Sequence, residues 1–209
     1  MKKYIIFDAD RTLIDSCEAV VYSLQEAIEN VLGIKVDDEK LKNLMALPSN
    51  QYLKILNVDD YKEQINKEWE KTYSKYETKC FIGLKEIIRD LSNKGYTIGI
   101  ITSRNTEEYH ELDNEFEDIK DYIKIVITSD LVDKPKPSND SMIYLCNKMN
   151  CTSDDVIYIG DSKSDIEFAR NSNCSFIPAC WENQELMNEP NACFNTLDLL
   201  DLLQKEITK

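Results

Sequence analysis

Two aspartates follow a hydrophobic run at the start of the chain. Residues 4–6 are apolar, and Phe7 leads into Asp8, with Asp10 two residues later. A short buried run of this kind is typical of a strand in a parallel sheet, which delivers its acids to the carboxyl-terminal edge. Because side chains alternate along a strand, both aspartates point the same way if the strand persists that far. Two facing carboxylates repel each other, so a divalent cation, a shared proton or a lysine has to neutralise them.

Polar groups of complementary chemistry follow three further apolar runs. They are a hydroxyl with two loop residues, two lysines that each precede proline, and a second pair of acids, found in Thr102-Ser103-Arg104, Lys134-Pro135-Lys136-Pro137 and Gly160–Asp165. The hydroxyl and the loop amides suit an oxyanion, and a lysine stiffened by proline suits charge neutralisation. Together with an aspartate nucleophile, these groups predict phosphoryl transfer, whose chemistry is mostly positioning and charge neutralisation.

The periodicity divides the chain into a helical segment and an alternating segment. Residues 15–80 have apolar positions at helical spacing and no convincing strand, which indicates an all-helical insertion. From residue 81, helices alternate with apolar strands at 96–102, 122–128, 156–159 and 174–178. This alternation predicts an α/β fold with a Rossmann-like parallel sheet sandwiched by helices. We predict a core domain of residues 1–14 and 81–209 and a helical cap domain of residues 15–80.

The composition argues against several classes of function. The 209 residues include 39 acidic and 25 basic side chains, and the net charge of −14 disfavours binding to nucleic acid or to an anionic membrane. No apolar run approaches the roughly 20 residues that span a bilayer, and the first residues show no signal-peptide pattern, so a cytoplasmic location is the default. Seven scattered cysteines without a CxxC pair argue against zinc. The single histidine, His110, fits a solvated helix face better than catalysis.

Four motifs in one order resemble the haloacid dehalogenase (HAD) superfamily. They are DxDxT at Asp8–Thr12, the hydroxyl of Thr102, KPxP at Lys134–Pro137 and GDxxxD at Gly160–Asp165. The helical insertion between the first two motifs resembles the C1 cap of that superfamily. Within it, the chain looks most like phosphoglycolate-phosphatase-like proteins over essentially its whole length.

The resemblance implies a role for each matching residue. Asp8 attacks phosphorus and becomes a transient aspartyl-phosphate, while Asp10 protonates the leaving oxygen and then activates water. Thr102 holds a phosphoryl oxygen, and the backbone amide of Ser103 contacts the phosphate. The KPxP register favours Lys134 over Lys136 as the lysine that neutralises Asp8 and the phosphate.

The resemblance also implies a magnesium ion. Its ligands would be the carboxylate of Asp8, the main-chain carbonyl of Asp10 and Asp161, with Asp165 supporting them from further out. Mg²⁺ is bound in proteins by one or two carboxylates together with substrate phosphate and water, so few dedicated ligands are needed.

Arg11 departs from the pattern, because the superfamily usually has glycine at this position. The turn after Asp10 is then shaped differently, or Arg11 contacts an anionic part of the substrate, or it points to solvent. In the helical segment, residues 46–50 offer no cation for a substrate carboxylate, which argues against phosphoglycolate as the specific substrate.

The leading hypothesis is a Mg²⁺-dependent phosphatase that acts on a small phosphorylated metabolite beneath a mobile cap. A nucleoside-monophosphate phosphatase and a sugar phosphomutase are the enzymatic alternatives. From another class comes a catalytically weak binding or regulatory protein of the same fold. A receiver-like phosphoacceptor domain would leave no place for residues 15–80. The sequence leaves open whether the protein is a monomer or a homodimer.

Overall fold

The structure is a computed structural model that describes residues 3–44, 49–182 and 185–208. Its strands, in chain order, are β1 (Tyr4–Phe7), β2 (Ile14–Asp15), β3 (Lys79–Cys80), β4 (Thr97–Ile101), β5 (Ile123–Ile127), β6 (Val156–Gly160) and β7 (Ser175–Pro178). Its α-helices are α1 (Cys17–Leu32), α2 (Asp38–Leu44), α3 (Ser49–Ile55), α4 (Lys62–Tyr73), α5 (Leu84–Asn93), α6 (Thr106–His110), α7 (Asp113–Phe116), α8 (Asp140–Met149), α9 (Lys163–Ser172) and α10 (Leu199–Ile207).

The main sheet is parallel and has the strand order β5-β4-β1-β6-β7. This arrangement confirms the predicted α/β fold. Phe7, the last residue of β1, lies beside Ile100 of β4 and Ile159 of β6. The three central strands therefore end at nearly the same level, and the residues that follow them share one edge of the sheet. Ligands of open α/β sheets bind at this edge.

Strand alternation sends apolar side chains to both faces of the sheet. Ile5 and Phe7 belong to a core that includes the buried face of α5 and part of α10, whereas Ile6 belongs to a second core with α8 and α9. Tyr158 lies beside Ile6 in the sheet register and belongs to the same second core. The buried hydroxyl of Tyr158 therefore lies on the face of the sheet that packs against α8 and α9.

A two-residue antiparallel pairing joins β2 to β3, with Ile14 opposite Cys80 and Asp15 opposite Lys79. The sequence pattern predicts no strand at these positions, because two residues are too few to show a period. The chain divides into two compact units close to this pairing, one of residues 1–15 and 79–209 and the other of residues 16–78. The predicted boundaries were 14 and 81.

The second unit is helical and has a core of its own. Residues of α1 such as Leu24 and Ile28 are buried against Ile65 of α4. Trp69 of α4 packs on this core and donates its indole N–H to the Oγ of Ser23, at 2.7 Å. Trp69 is therefore a packing residue of the helical unit.

The structure also bears on the cysteines, the single histidine and the length and polarity of the helices. None of the seven cysteines forms a disulfide. His110 is exposed on α6, with its Nδ1 3.0 Å from the carboxylate of Asp113. In the segments that the structure describes, every helix is too short or too polar to cross a membrane.

The core of the helical unit gives a stability prediction. Leu24→Ala removes a buried side chain from α1 and should lower the free energy of unfolding by about 2–5 kcal/mol, because the cavity it leaves cannot fully collapse. Glu18→Ala, at an exposed position in the first turn of the same helix, is the control and should cost less than about 1 kcal/mol. Urea denaturation followed by circular dichroism measures the free energy of unfolding of both variants. Equal losses of stability would contradict the placement of Leu24 in the core of the helical unit.

Candidate active site

A buried lysine lies at the centre of the polar residues on the sheet edge. Nζ of Lys136 donates to Oδ1 of Asp8 at 2.6 Å, to Oδ1 of Asp165 at 2.7 Å and to the hydroxyl of Tyr158 at 2.9 Å. The hydroxyl of Tyr158 donates in turn to Oδ1 of Asp165, at 2.8 Å. Only 3% of the Lys136 side chain is exposed. All three ammonium donors are therefore satisfied by one closed network.

The lysine in this network is not the predicted one, and the preference for Lys134 is wrong. Lys134 is exposed, and its backbone N–H donates to Oδ2 of Asp140, the first residue of α8, at 3.1 Å. Both lysines precede proline, so the local restriction that proline imposes is the same for each. The path of the loop into α8 turns Lys136 toward Asp8 and leaves Lys134 in solvent.

Burial and charge shift the pKa values of the network in different directions. Burial raises the pKa of the Asp8 carboxyl well above its usual range; Asp165 and Asp161 add to this, although Lys136 opposes it. Burial also acts to raise the pKa of Asp165, but Lys136 and hydrogen bonds from Ser162 and Tyr158 outweigh it and lower that pKa. Lys136 is opposite in sign: burial acts to lower its pKa, and the two carboxylates outweigh burial and raise it. Lys136 alone therefore does not fully compensate the negative charge of an ionised Asp8.

Asp165 is held by the start of α9 as well as by the lysine. Ser162 is the N-cap of this helix, and its backbone N–H and hydroxyl donate to Oδ2 of Asp165 at 3.1 and 2.6 Å. The N-cap of α9 is therefore Ser162, and not the neighbouring Asp161. Gly160 is required beside this pair, because a Cβ there would lie 2.6 Å from Cβ and Cγ of Asp165.

Asp161, which follows β6, is buried and pairs with Arg11. Nε of Arg11 lies 3.4 Å from Oδ2 of Asp161 and 2.9 Å from Oε2 of Glu182. The backbone of Arg11 has φ +59°, a left-handed conformation that costs a non-glycine residue about 1–2 kcal/mol. The turn thus has the conformation that glycine favours. The side chain, 21% exposed, turns toward two carboxylates and not away into solvent. Its contact with substrate stays a prediction.

The loop after β4 brings a hydroxyl and an arginine to the same edge. Thr102 is buried, and its Oγ1 accepts the backbone N–H of Arg104 at 3.1 Å. Arg104 binds both oxygens of Asp10, with Nε 2.7 Å from Oδ2 and Nη2 2.8 Å from Oδ1. Ser103 is exposed. The structure therefore places Thr102 and Arg104 together with Asp10, and Arg104 has a larger part in the site than the sequence indicated.

A family model describes this combination of fold and strand-end residues. The model for haloacid dehalogenase-like hydrolases matches residues 5–179, which include every predicted site residue. The chain belongs to the haloacid dehalogenase-like hydrolase family. The predicted family and the prediction of a hydrolytic enzyme are confirmed.

Individual relatives of this family are distant in sequence. A pyrophosphatase PpaX of Bacillus velezensis is 22% identical, with 85% of this chain and 82% of that protein covered. A phosphoglycolate phosphatase of Nitrosococcus oceani is 25% identical over 83% of this chain and 81% of that one. Among solved structures, a haloacid dehalogenase-like family hydrolase of Streptococcus pneumoniae has a TM-score of 0.83 and 20% identity, covering 97% of this chain and 99% of that chain. This likeness shows the fold.

The acids at the edge fit the magnesium ion of the family. Asp8, Asp161 and Asp165 offer carboxylate oxygens that all lie within 4.8 Å of one another. Oxygen donors are those that Mg²⁺ prefers. Asp165 already accepts two hydrogen bonds on each oxygen, which fills about four lone-pair sites. The donor set therefore fits Asp8 and Asp161 as direct ligands and Asp165 as their support. The main-chain carbonyl of Asp10 stays a predicted ligand.

Two residues of the site were not assigned a role from the sequence. Tyr158 lies in the aliphatic strand Val156–Gly160, and a single hydroxyl in a fully buried strand two residues before Gly160 was an available signal. Arg104 follows the end of β4 directly, but its partner Asp10 is 94 residues away in sequence. No local pattern joins residues so far apart.

The ion pair of Arg11 gives a prediction about magnesium binding. Arg11→Gln removes a positive charge from beside Asp161, so Mg²⁺ should bind about twofold to fivefold more tightly, the effect expected of a partly exposed ion pair. Isothermal titration calorimetry with MgCl₂ measures this affinity without turnover. Arg170→Gln, which makes the same charge change on the exposed side of α9, is the control and should leave the affinity unchanged. Weaker binding in Arg11→Gln would contradict the prediction.

Proposed function

We propose that this hydrolase is a Mg²⁺-dependent phosphatase that cleaves a small phosphomonoester through an aspartyl-phosphate on Asp8. The observation that carries the proposal is the contact of Lys136 with Asp8 at 2.6 Å, inside a cluster that also contains Asp161 and Asp165. A nucleophilic carboxylate, a fixed ammonium and a set of magnesium ligands at one sheet edge are what phosphoryl transfer to an aspartate requires.

Each side chain has a definite part in the proposed reaction. A carboxylate oxygen of Asp8 attacks phosphorus, and the bond from phosphorus to the ester oxygen breaks. Asp10 gives a proton to the leaving oxygen, then removes one from the water that attacks phosphorus, which frees Asp8 and inorganic phosphate. Lys136 and the hydroxyl of Thr102 stabilise the charge on the phosphoryl oxygens.

Magnesium fits this scheme at Asp8 and Asp161. When bound, Mg²⁺ would neutralise negative charge on the phosphoryl group and on Asp8. Asp165 would support these ligands indirectly. It accepts a hydrogen bond from Lys136 and forms the capping box of α9 with Ser162. The burial that raises the pKa of Asp8 supports the need for a second cation at this carboxylate.

The proposed substrate is a small phosphorylated metabolite, without a choice of one compound. The named relatives are a pyrophosphatase and a phosphoglycolate phosphatase, so pyrophosphate and phosphoglycolate belong in a substrate panel. Residues 46–50 were expected to disfavour phosphoglycolate because they offer no cation. Residues 45–48 lie outside the described part of the chain, so this expectation stays a prediction. The role of the helical unit as a cap is carried over from the resemblance and stays a prediction.

The function is tested by phosphate release from a panel of phosphorylated metabolites, including nucleoside monophosphates and sugar phosphates. Turnover should require Mg²⁺ and stop with chelator, and Asp8→Asn should lower kcat by about 1,000-fold or more, because the nucleophile is lost. Matching far-UV circular dichroism spectra of the wild type and Asp8→Asn are the folding control. Sugar-phosphate isomerisation without phosphate release would indicate a mutase. Absence of Mg²⁺-dependent turnover on the whole panel would favour a binding or regulatory protein.

The two lysines of the loop give a matched pair of variants. Lys136→Met should lower kcat/KM by about 10²–10³-fold, because it removes a fixed positive charge from Asp8 and the phosphoryl group. It should also lower Tm, since it leaves buried carboxylates uncompensated. Lys134→Met changes an exposed lysine two residues away and should alter kcat/KM by less than about threefold. Equal effects of the two substitutions would contradict the assignment of Lys136.

A further inference from the structure

The lysine of the site lies in the middle of a short segment, residues 134–138, that leads into α8. The ammonium of Lys136 meets Asp8 at 2.6 Å, although the two residues are 128 positions apart in sequence. Pro135 and Pro137 each fix one φ angle of the segment. Because proline has no backbone N–H, the segment also has fewer backbone hydrogen bonds available to fix it to the rest of the unit. Side chains from outside the segment therefore have a large part in setting its course.

The carboxylate of Asp140 joins the two ends of this segment. Its Oδ2 accepts the backbone N–H of Lys134 at 3.1 Å, and its Oδ1 accepts the hydroxyl of Ser138 at 2.7 Å. The backbone N–H of Ser138 also donates to the carbonyl of Pro135, at 3.1 Å. Asp140 is the first residue of α8, a helix that packs in the second core of the sheet. Both ends of the segment are thus attached, through one carboxylate, to the core of the unit.

A second contact to the segment comes from α9. Nδ2 of Asn171 donates to the carbonyl of Pro137 at 2.8 Å, one residue after Lys136. The first turn of the same helix contains Asp165, whose carboxylate accepts a hydrogen bond from Nζ of Lys136 at 2.7 Å. One helix therefore contacts both the ammonium of the lysine and the backbone beside it.

We propose that Asp140 and Asn171 are positioning residues, which fix the segment so that Lys136 enters the site and Lys134 stays in solvent. Lys134 lies at an end of the segment, where Asp140 binds its backbone N–H and its side chain is exposed. Lys136 lies between the two attachments, opposite Asp8. Both positioning residues act through Lys136. The kinetic consequence of the inference rests on the proposed function, whereas the placement of the lysine does not.

The placement is tested without turnover by reductive methylation of lysines, with tandem mass spectrometry to locate the label. In the wild type, Lys134 should be labelled at least about tenfold faster than Lys136, whose side chain is only 3% exposed, because a buried amine reacts only after local opening. Asp140→Ala should raise the rate for Lys136 about tenfold or more, since the segment loses the attachment of both its ends. Asn171→Ala should raise the same rate. Unchanged protection of Lys136 in both variants would overturn the inference.

The matched control is Asp201→Ala. Asp201 is exposed and, like Asp140, lies in the first turn of a helix, here α10. Its removal costs the same kind of carboxylate interaction with a helix N-terminus, so the labelling of Lys136 should not change. If far-UV circular dichroism shows that Asp140→Ala does not fold, Asp140→Asn takes its place. It keeps one acceptor oxygen, so it should expose Lys136 partly. An equal effect of the changes at positions 140 and 201 would contradict a role specific to the segment.

A double-mutant cycle tests the kinetic consequence on an ester that the wild type hydrolyses, at a temperature at which all variants are folded. Asp140→Ala should lower kcat/KM about tenfold or more, because a misplacement of about 1 Å can cost about 100-fold in rate. In the background Lys136→Met, it should cost less than about twofold, because the lysine that it positions is already absent. Full additivity of the two losses would overturn the inference. If the wild type hydrolyses no ester but the labelling follows the expected pattern, the proposed function fails and the positioning of Lys136 stands.

Discussion

The site depends on the hydrogen bonds that the ammonium group of Lys136 donates. It compensates buried carboxylates whose removal from water costs several kcal/mol per ion, and it has a hydrogen-bond acceptor for each of its donors. Each acceptor comes from a different element: Asp8 from the end of β1, Tyr158 from β6 and Asp165 from α9. Their convergence requires the parallel register of β1 with β6, the N-cap of α9 and the close approach that Gly160 permits.

The lysine does not balance the cluster by itself. Three carboxylates lie within 4.8 Å of one another, and the pKa of Asp8 stays raised despite the lysine. Arg11 adds positive charge at Asp161, and its ion pairs offset the cost of a left-handed backbone at a position where the family usually has glycine. A divalent cation would complete the balance. Because Arg11 already contacts Asp161, we expect it to weaken the binding of that ion.

The two arginines contact different residues of the proposed site. Arg11 contacts Asp161, a proposed magnesium ligand, whereas Arg104 contacts Asp10, the proposed acid and base. Membership of the haloacid dehalogenase-like hydrolases accounts for the reaction class, but fold and family do not define a substrate.

Most elements of the core and the acids of the site were predictable from local sequence patterns. Apolar periods predicted the strands, and the acids that follow them, such as Asp8 and Asp161, reach one edge because parallel strands end together. Two-residue strands were missed, since they carry no period. Local sequence could not distinguish Lys134 from Lys136, because both precede proline; in the folded protein, the course of the loop into α8 brings Lys136 to Asp8. The tertiary structure alone brought Arg104 to Asp10 across 94 residues, a pairing set by the adjacency of β1 and β4 and by no local pattern.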